Sequence, residues 1–364
     1  MLERKIYLRS WRVALLLIAA LAAMPAPAAA PGTDGAIGWI NRMNVALTQR
    51  NFDGVLVRRI GTRSEMLLIV HRVQDGRMSE RLTVIPTDGS GPGDEFVRNG
   101  NESIEYYPRR QTVIVQERNR SYGFLRAFNR LGQQSAREYV ISDRGTETVE
   151  GRVAQHVSLE PRDALRYGYQ FWLDPNTALP LKTQIVARSG DVLEEISFKR
   201  FSLPAKVEDE RLKPEIDASK FHWWNRKMPA YRAELTKKFV PRAELLPAGF
   251  RPVKFISDAQ EAAEQARAPG PRARYLISDG IAWVSVFIEL PEQKAASKDV
   301  PGASGAAPGA GKGKGKSVSG SKDLTGVWGA YTVHVTIVDG HQITVVGEVP
   351  PATAKVIAGA LRPE

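Results

Sequence analysis

Arg166-Tyr167-Gly168-Tyr169-Gln170-Phe171-Trp172-Leu173 and, beyond the turn Asp174-Pro175-Asn176, Pro180-Leu181-Lys182-Thr183-Gln184-Ile185-Val186-Ala187 are the stretch that decides the fold. Each run is short and rich in aromatic or β-branched residues, and turn formers separate them, so the pair reads as two antiparallel strands. The same pattern continues outward. Downstream, Ser189-Gly190-Asp191 turns the chain into a strand over 192–201; upstream, strands are expected over 137–142 and 152–159. Before these come 53–60, 65–73, 81–86, 94–98, 103–107 and 111–117, with Asp75-Gly76 and Asn99-Gly100 as tight hairpin turns. Ahead of the strands, Ile37, Ile40, Met43, Val45 and Leu47 recur at roughly helical spacing and predict one amphipathic helix.

One helix and roughly ten or eleven strands cannot bury themselves as a flat sheet, because open sheets of that size curl or close. The expected packing over 35–203 is an antiparallel half-barrel around the helix. Alternation then aims one set of residues into the concave interior, either Tyr167, Tyr169 and Phe171 or the opposite set with Gly168 and Trp172. That interior is either a packed core or an apolar pocket. Tyr106, Tyr167, Tyr169 and Phe171 are the candidate lipid-facing residues, simple core packing being the competing reading for each.

Residues 204–229 change character. Pro204, Pro214, Pro229 and the charged run Lys206 to Lys213 predict an interdomain linker, in which Trp223-Trp224 beside Lys227 is a candidate partner or interdomain contact. A smaller α+β domain is expected over 230–364, with a strand at 251–256, a helix at 258–267, one long strand at 273–289, two more at 329–338 and 341–348, and a last helix over 352–361. The fold class is therefore α+β throughout. Within this domain, residues 291–322 consist of Ala, Gly, Ser, Lys and Pro with almost nothing apolar. Such a segment cannot offset the entropy of ordering and is expected to be a disordered insert.

The chain begins with Arg4, Lys5, Arg9 and Arg12, then an apolar run from Val13 to Ala23, then Pro25 and small residues. This is the layout of a signal peptide, residues 1–30, cleaved after Ala28 or Ala30, and it predicts an exported, soluble protein of the periplasm. No cysteine occurs, which excludes disulfides, thiolate metal sites, a cysteine nucleophile and a lipidated cysteine anchor. The formal charge of +11 divides into +3 in the leader, +4 over 291–322 and about +4 elsewhere, so no nucleic-acid partner is expected. An anionic lipid is the better anionic candidate. Catalysis has no visible machinery. The histidines, His71, His156, His222, His334 and His341, are scattered; Gly315-Lys316-Ser317 lacks the first glycine of a phosphate loop; Asp94-Glu95 and Glu194-Glu195 point to opposite strand faces. Neither an enzyme activity, a metal nor a cofactor is expected.

A resemblance sharpens this. Arg166 to Asp174, Leu179-Pro180-Leu181-Lys182 and Gly190-Asp191-Val192-Leu193-Glu194 resemble the end of the amino-terminal domain of the RseB/MucB family. Ser278-Asp279-Gly280-Ile281-Ala282, Ser285-Val286-Phe287-Ile288-Glu289, Gly329-Ala330 and the segment Thr344 to Thr353 resemble its second domain, in the same order. The resemblance implies the half-barrel of lipoprotein carriers such as LolA and LolB. It also implies a regulator that binds the periplasmic part of a single-span anti-sigma factor of RseA/MucA type through the second domain and the cleft, shields it from proteolysis, and lets go on sensing lipopolysaccharide or acyl chains. Ser278, Asp279 and Gly280 become candidate partner or interdomain residues, and a homodimer remains open. A lipoprotein or lipid carrier of LolA type is the alternative. Two departures from the family pattern, the long Lys/Gly insert and Ile281 in place of a usual Leu, are expected to leave the core untouched.

Overall fold

A computed structural model of the chain describes residues 33–89, 91–100, 102–117, 137–226, 239–257, 273–289 and 323–363. The leader 1–30, the expected helix 258–267 and the insert 291–322 lie outside them.

The described chain is mostly β. Helix α1 (Thr33–Gln49) precedes β1 (Phe52–Ile60), β2 (Arg63–Gln74), β3 (Arg77–Ile85), β4 (Glu95–Asn99), β5 (Glu102–Tyr107) and β6 (Thr112–Glu117). Then follow β7 (Tyr139–Val149), β8 (Arg152–Pro161), β9 (Gly168–Leu173), β10 (Pro180–Val186), β11 (Val192–Ser202) and β12 (His222–Arg226). These twelve strands form one sheet in the order β12-β6-β5-β4-β3-β2-β1-β11-β10-β9-β8-β7, open at both ends. Two meanders, β1 to β6 and β7 to β11, are stitched together where β1 meets β11. The expected turns close their hairpins: Asp75 and Gly76 take φ of 52° and 70°, the left-handed pair that a two-residue connection between twisted strands requires.

α1 places Ala36, Ile40, Met43 and Leu47 against one face of this sheet, where they join Phe52, Leu56, Leu67, Ile69, Tyr139, Ile141, Leu159, Tyr169 and Phe171 in the first core. The opposite face of β2 to β6 is covered by the chain between 204 and 226. This stretch was expected to be a linker, and the structure corrects that reading. Val207 and Leu212 close on Val70, and Ala218 packs on Tyr106 and Val113. β12 then pairs with β6, the only parallel pairing in the sheet among the described residues. Two charged side chains fasten the strap: Arg81 Nη1 donates to the Lys213 carbonyl at 3.0 Å and meets Glu215 at 2.8 Å, while the buried Glu95 accepts from the Glu215 amide at 2.9 Å. A Pro-rich, charged stretch reads as a connector because the residues that hold it lie more than a hundred positions away.

The second sheet has β14 (Arg251–Ser257), β15 (Ala273–Ser278), β16 (Trp283–Glu289), β17 (Asp323–Trp328), β18 (Tyr331–Val338) and β19 (His341–Gly347), ordered β14-β15-β16-β19-β18-β17. Strict alternation buries Val284, Val286 and Ile288 of β16 and Ile343 and Val345 of β19 under helix α2 (Pro351–Ala360), whose Ala354, Ile357 and Ala358 fill the other side of this core. A short pair, β13 (Phe239–Pro241) with β20 (Leu361–Pro363), closes it. The single strand expected over 273–289 is two strands, because Asp279 accepts the amides of Ile281 and Ala282 and Gly280 takes φ of 98°, turning the chain after Ser278. Likewise Gly329-Ala330, expected inside a strand, is the turn from β17 to β18, with Gly329 at φ of 58°.

Candidate functional site

The residues singled out from the sequence fall into three different environments. Tyr169 and Phe171 project from β9 into the first core, are 4% and 3% exposed, and stack with ring centroids 6.3 Å apart. They are enclosed by α1 rather than lining an open surface. Tyr106 stands on the opposite face of the sheet, under the strap, since it pairs through Glu95 and Thr83 with Leu68 rather than with the Leu67 and Ile69 face. Tyr167 precedes β9 and lies at the contact with the second sheet, where burial raises its pKa and Thr332 hydrogen-bonds it. The four candidate lipid-facing aromatics thus share no surface; only Tyr169 and Phe171 are together. A groove of about 680 Å³ does open beside α1, between Trp39, Arg42 and Arg50 on the helix and Pro175 to Ala178 on the β9–β10 turn, but neither Tyr169 nor Phe171 reaches it.

Ser278, Asp279 and Gly280 form the turn between β15 and β16, and they are consumed internally. The Arg166 guanidinium, fully buried just before β9, donates from Nε to Asp279 Oδ2 at 2.7 Å, and Tyr139 Oη donates to the same oxygen at 3.2 Å. Arg166 also reaches Asp163 and the Ala248 carbonyl, with Glu138 3.7 Å away. Burial opposes the Arg166 charge, but the hydrogen bond and charge of Asp279 and then the charge of Asp163 outweigh it, so its pKa is raised. The same burial, with the Asp279 charge beside it, pushes the Tyr139 phenol well up, so it stays a donor at neutral pH. The Ser278 hydroxyl donates to the Ala282 carbonyl at 2.8 Å and accepts the Gly280 amide at 2.9 Å.

Around this pair the second sheet is keyed into the first. Ile281 belongs to the first core, 1% exposed among the α1 residues, Tyr169 and Phe171. The expectation that Ile281 stands away from the core is therefore overturned; the turn at Asp279-Gly280 carries its side chain across the junction. Thr353, at the start of α2, donates to the Leu165 carbonyl at 2.6 Å. A methyl group on Gly329 would lie 2.6 Å from Ile60 Cγ2, so only glycine lets β17–β18 approach β1 this closely. Arg166, Tyr139 and Ile281 are the residues that reading the sequence did not assign. The one signal for Arg166 was a cation at the head of an aromatic strand with Asp163 three residues earlier.

Trp223 and Trp224 have the opposite fate. They sit on β12 at the free edge of the large sheet, 51% and 54% exposed, on opposite faces. Trp223 Nε1 donates to the Ala218 carbonyl at 3.2 Å and its ring meets Tyr106 edge-on at 6.2 Å; Trp224 lies 5.0 Å from the His222 ring. The rim thus offers an extended, aromatic edge. Among the described residues, no group of three or more His, Asp or Glu could hold a metal ion, and no helix is long and apolar enough to cross a membrane.

Comparison with known proteins decides the family. The profile of the MucB/RseB N-terminal domain matches residues 35–216. The chain is 30% identical over 352 residues, 96% of each chain, to the sigma factor AlgU regulatory protein MucB of Pseudomonas aeruginosa. It belongs to the MucB/RseB family. Another family relative, the sigma-E factor regulatory protein RseB of Salmonella typhimurium, is 24% identical over 96% of each chain. Among solved structures, MucB in complex with MucA(peri) is 26% identical, covering 90% of this chain and 99% of that one with a TM-score of 0.59. A crystal structure of MucB, 26% identical, matches over 92% of this chain and 100% of that one, at a TM-score of 0.56. The family profile ends at 216, inside the strap, which fits the strap's packing onto the first sheet.

Proposed function

We propose that this chain is a periplasmic regulator of an extracytoplasmic stress sigma factor. It binds the periplasmic part of a membrane-spanning anti-sigma factor, shields that segment from proteolysis and releases it when lipopolysaccharide or acyl chains enter the first domain. The observation that carries the reading is the match, over nearly the whole of both chains, to MucB as solved with MucA(peri). In this reading the sheet spanning 35–203 is a half-barrel of the lipoprotein-carrier type, with Tyr169 and Phe171 at the place an acyl chain would enter. Trp223 and Trp224 on the open β12 edge are the contact for the segment, because an extended peptide can add to a free strand edge while exposed tryptophans anchor it. The Ser278-Asp279-Gly280 turn holds the two domains together instead of touching the partner.

Titration calorimetry of the protein, freed of residues 1–30, against the periplasmic segment of its cognate anti-sigma factor tests this. Tight binding that weakens when lipopolysaccharide is present is the expected result. Absence of binding, alongside retained acyl-chain binding, would overturn it in favour of a LolA-type carrier.

A further inference from the structure

We propose that the turn joining β15 to β16, residues 278–283, is the element that transmits occupancy of the first core to the second sheet. The inference rests on the lipid-release reading above and adds the residues through which release would travel.

The argument begins with position. Ile281 is the second sheet's own residue, yet it lies in the first core with Ile40, Met43, Tyr169 and Phe171. Protein cores are close-packed, so an acyl chain entering beside Tyr169 and Phe171 has to displace side chains already there. Most of those neighbours are rooted in α1 or in the large sheet, and their displacement stays within the first domain. Ile281 differs, because its backbone belongs to a turn of the other sheet.

Rigidity converts that position into transmission. Asp279 Oδ1 accepts the Ile281 amide at 2.9 Å and the Ala282 amide at 2.8 Å, and Ser278 Oγ bonds the Ala282 carbonyl at 2.8 Å, so Ile281 cannot shift without the turn. The turn in turn carries Asp279, whose other oxygen holds Arg166 at 2.7 Å and Tyr139 at 3.2 Å. Removing Asp279 from them would take the Nε partner from a buried guanidinium and the acceptor from a buried phenol, a cost that favours two discrete arrangements of the junction over gradual deformation. On the far side, Ser278 and Trp283 are paired, and β16 pairs antiparallel with β19 at the centre of the second sheet. A ligand that favours the displaced turn shifts the protein to the arrangement with the junction open, by as much as its affinity for the two arrangements differs.

The test measures the affinity of the anti-sigma periplasmic segment with and without lipopolysaccharide for the wild type, Ile281→Ala and Ile281→Leu. In the wild type, lipopolysaccharide is expected to weaken segment binding roughly tenfold or more, and Ile281→Leu should keep that response. Ile281→Ala is expected to bind the segment within about threefold of wild type, while lipopolysaccharide, added at a concentration shown to saturate the variant, changes that affinity by less than about threefold. Where Ile281→Ala does not fold, Ile281→Val takes its place with a smaller loss of the same kind. Amide hydrogen exchange of the wild type gives an independent reading: the Ile281 and Ala282 amides should exchange faster once lipopolysaccharide is added. A full wild-type response in folded Ile281→Ala, or release without faster exchange at those two amides, overturns the transmission role and leaves the regulator standing. No weakening in the wild type overturns the release reading itself.

Discussion

The Asp279 turn and the Trp223-Trp224 strand were both marked in the sequence as candidate partner contacts, and they end in opposite physical states. At the turn both oxygens of the buried Asp279 carboxylate are used: they serve Arg166, Tyr139 and two amides of its own loop. Among the described residues β12 is paired on one side only, and both indoles stand half in solvent. A buried, satisfied cluster specifies how the chain folds on itself, whereas an exposed edge with large apolar side chains is available to another chain. The difference teaches that the same kind of sequence mark can signal cohesion or recognition, and that burial decides which.

Substitutions can break this contrast. The largest expected effect is at the turn: Asp279→Ala leaves the Arg166 guanidinium buried without its main partner and should cost roughly 3–5 kcal/mol in denaturant unfolding. A loss below about 1 kcal/mol would mean that water reaches Arg166 and that the junction is looser than its geometry. A comparable cost, again roughly 3–5 kcal/mol, is expected for Phe171→Ala, because the ring is enclosed by the first core. Little destabilisation together with lost acyl-chain binding would instead mark a pocket at that place. Trp224→Ala should change stability by only about 0.5 kcal/mol, yet weaken binding of the periplasmic segment tenfold or more, as calorimetry would read it. Equal losses in stability and binding would erase the distinction between edge and turn.

The smallest effect concerns a third environment, the far face of β9. There Trp172 Nε1 donates to Glu147 Oε2 at 2.7 Å and His156 Nδ1 lies 2.7 Å from Glu147 Oε1. The Trp172 hydrogen bond above all holds the Glu147 carboxyl below its ordinary 4.5; burial opposes it, and the hydrogen bond and charge of His156 add to the lowering. A depressed folded pKa stabilises above the unfolded value, and that stabilisation disappears as pH falls through the folded one. Glu147→Gln should therefore flatten the loss of thermal stability on acidification below pH 4.5, measured as melting temperature against pH. An unchanged slope would show that Glu147 is solvated like any surface carboxylate.

Local chemistry made the strands legible. Asp75-Gly76 marks a hairpin turn by its left-handed backbone, Gly100, at φ of 59°, turns the chain after β4, and the aromatic run of β9 alternates as a strand must. The turn at Asp279-Gly280 escaped because residues rich in β-formers flank it on both sides, and the run from 273 to 289 hides a break of only four residues. Beyond local chemistry, legibility ends. Arg166 and Asp279 are 113 residues apart, and Glu95 and the Glu215 amide 120 apart; no period or spacing links them. The tryptophans of β12 were visible as residues, but their exposure depends on which strand ends the sheet, a property of the whole topology.

The most direct test of the central contrast is amide hydrogen exchange of the protein alone and saturated with the periplasmic segment of the anti-sigma factor. The account predicts that amides over 222–226 gain protection on binding, while those of 278–283, already slow in the free protein, do not change. New protection at 278–283 with none at 222–226 would contradict it, placing the partner at the junction and leaving the tryptophan edge without a role in binding.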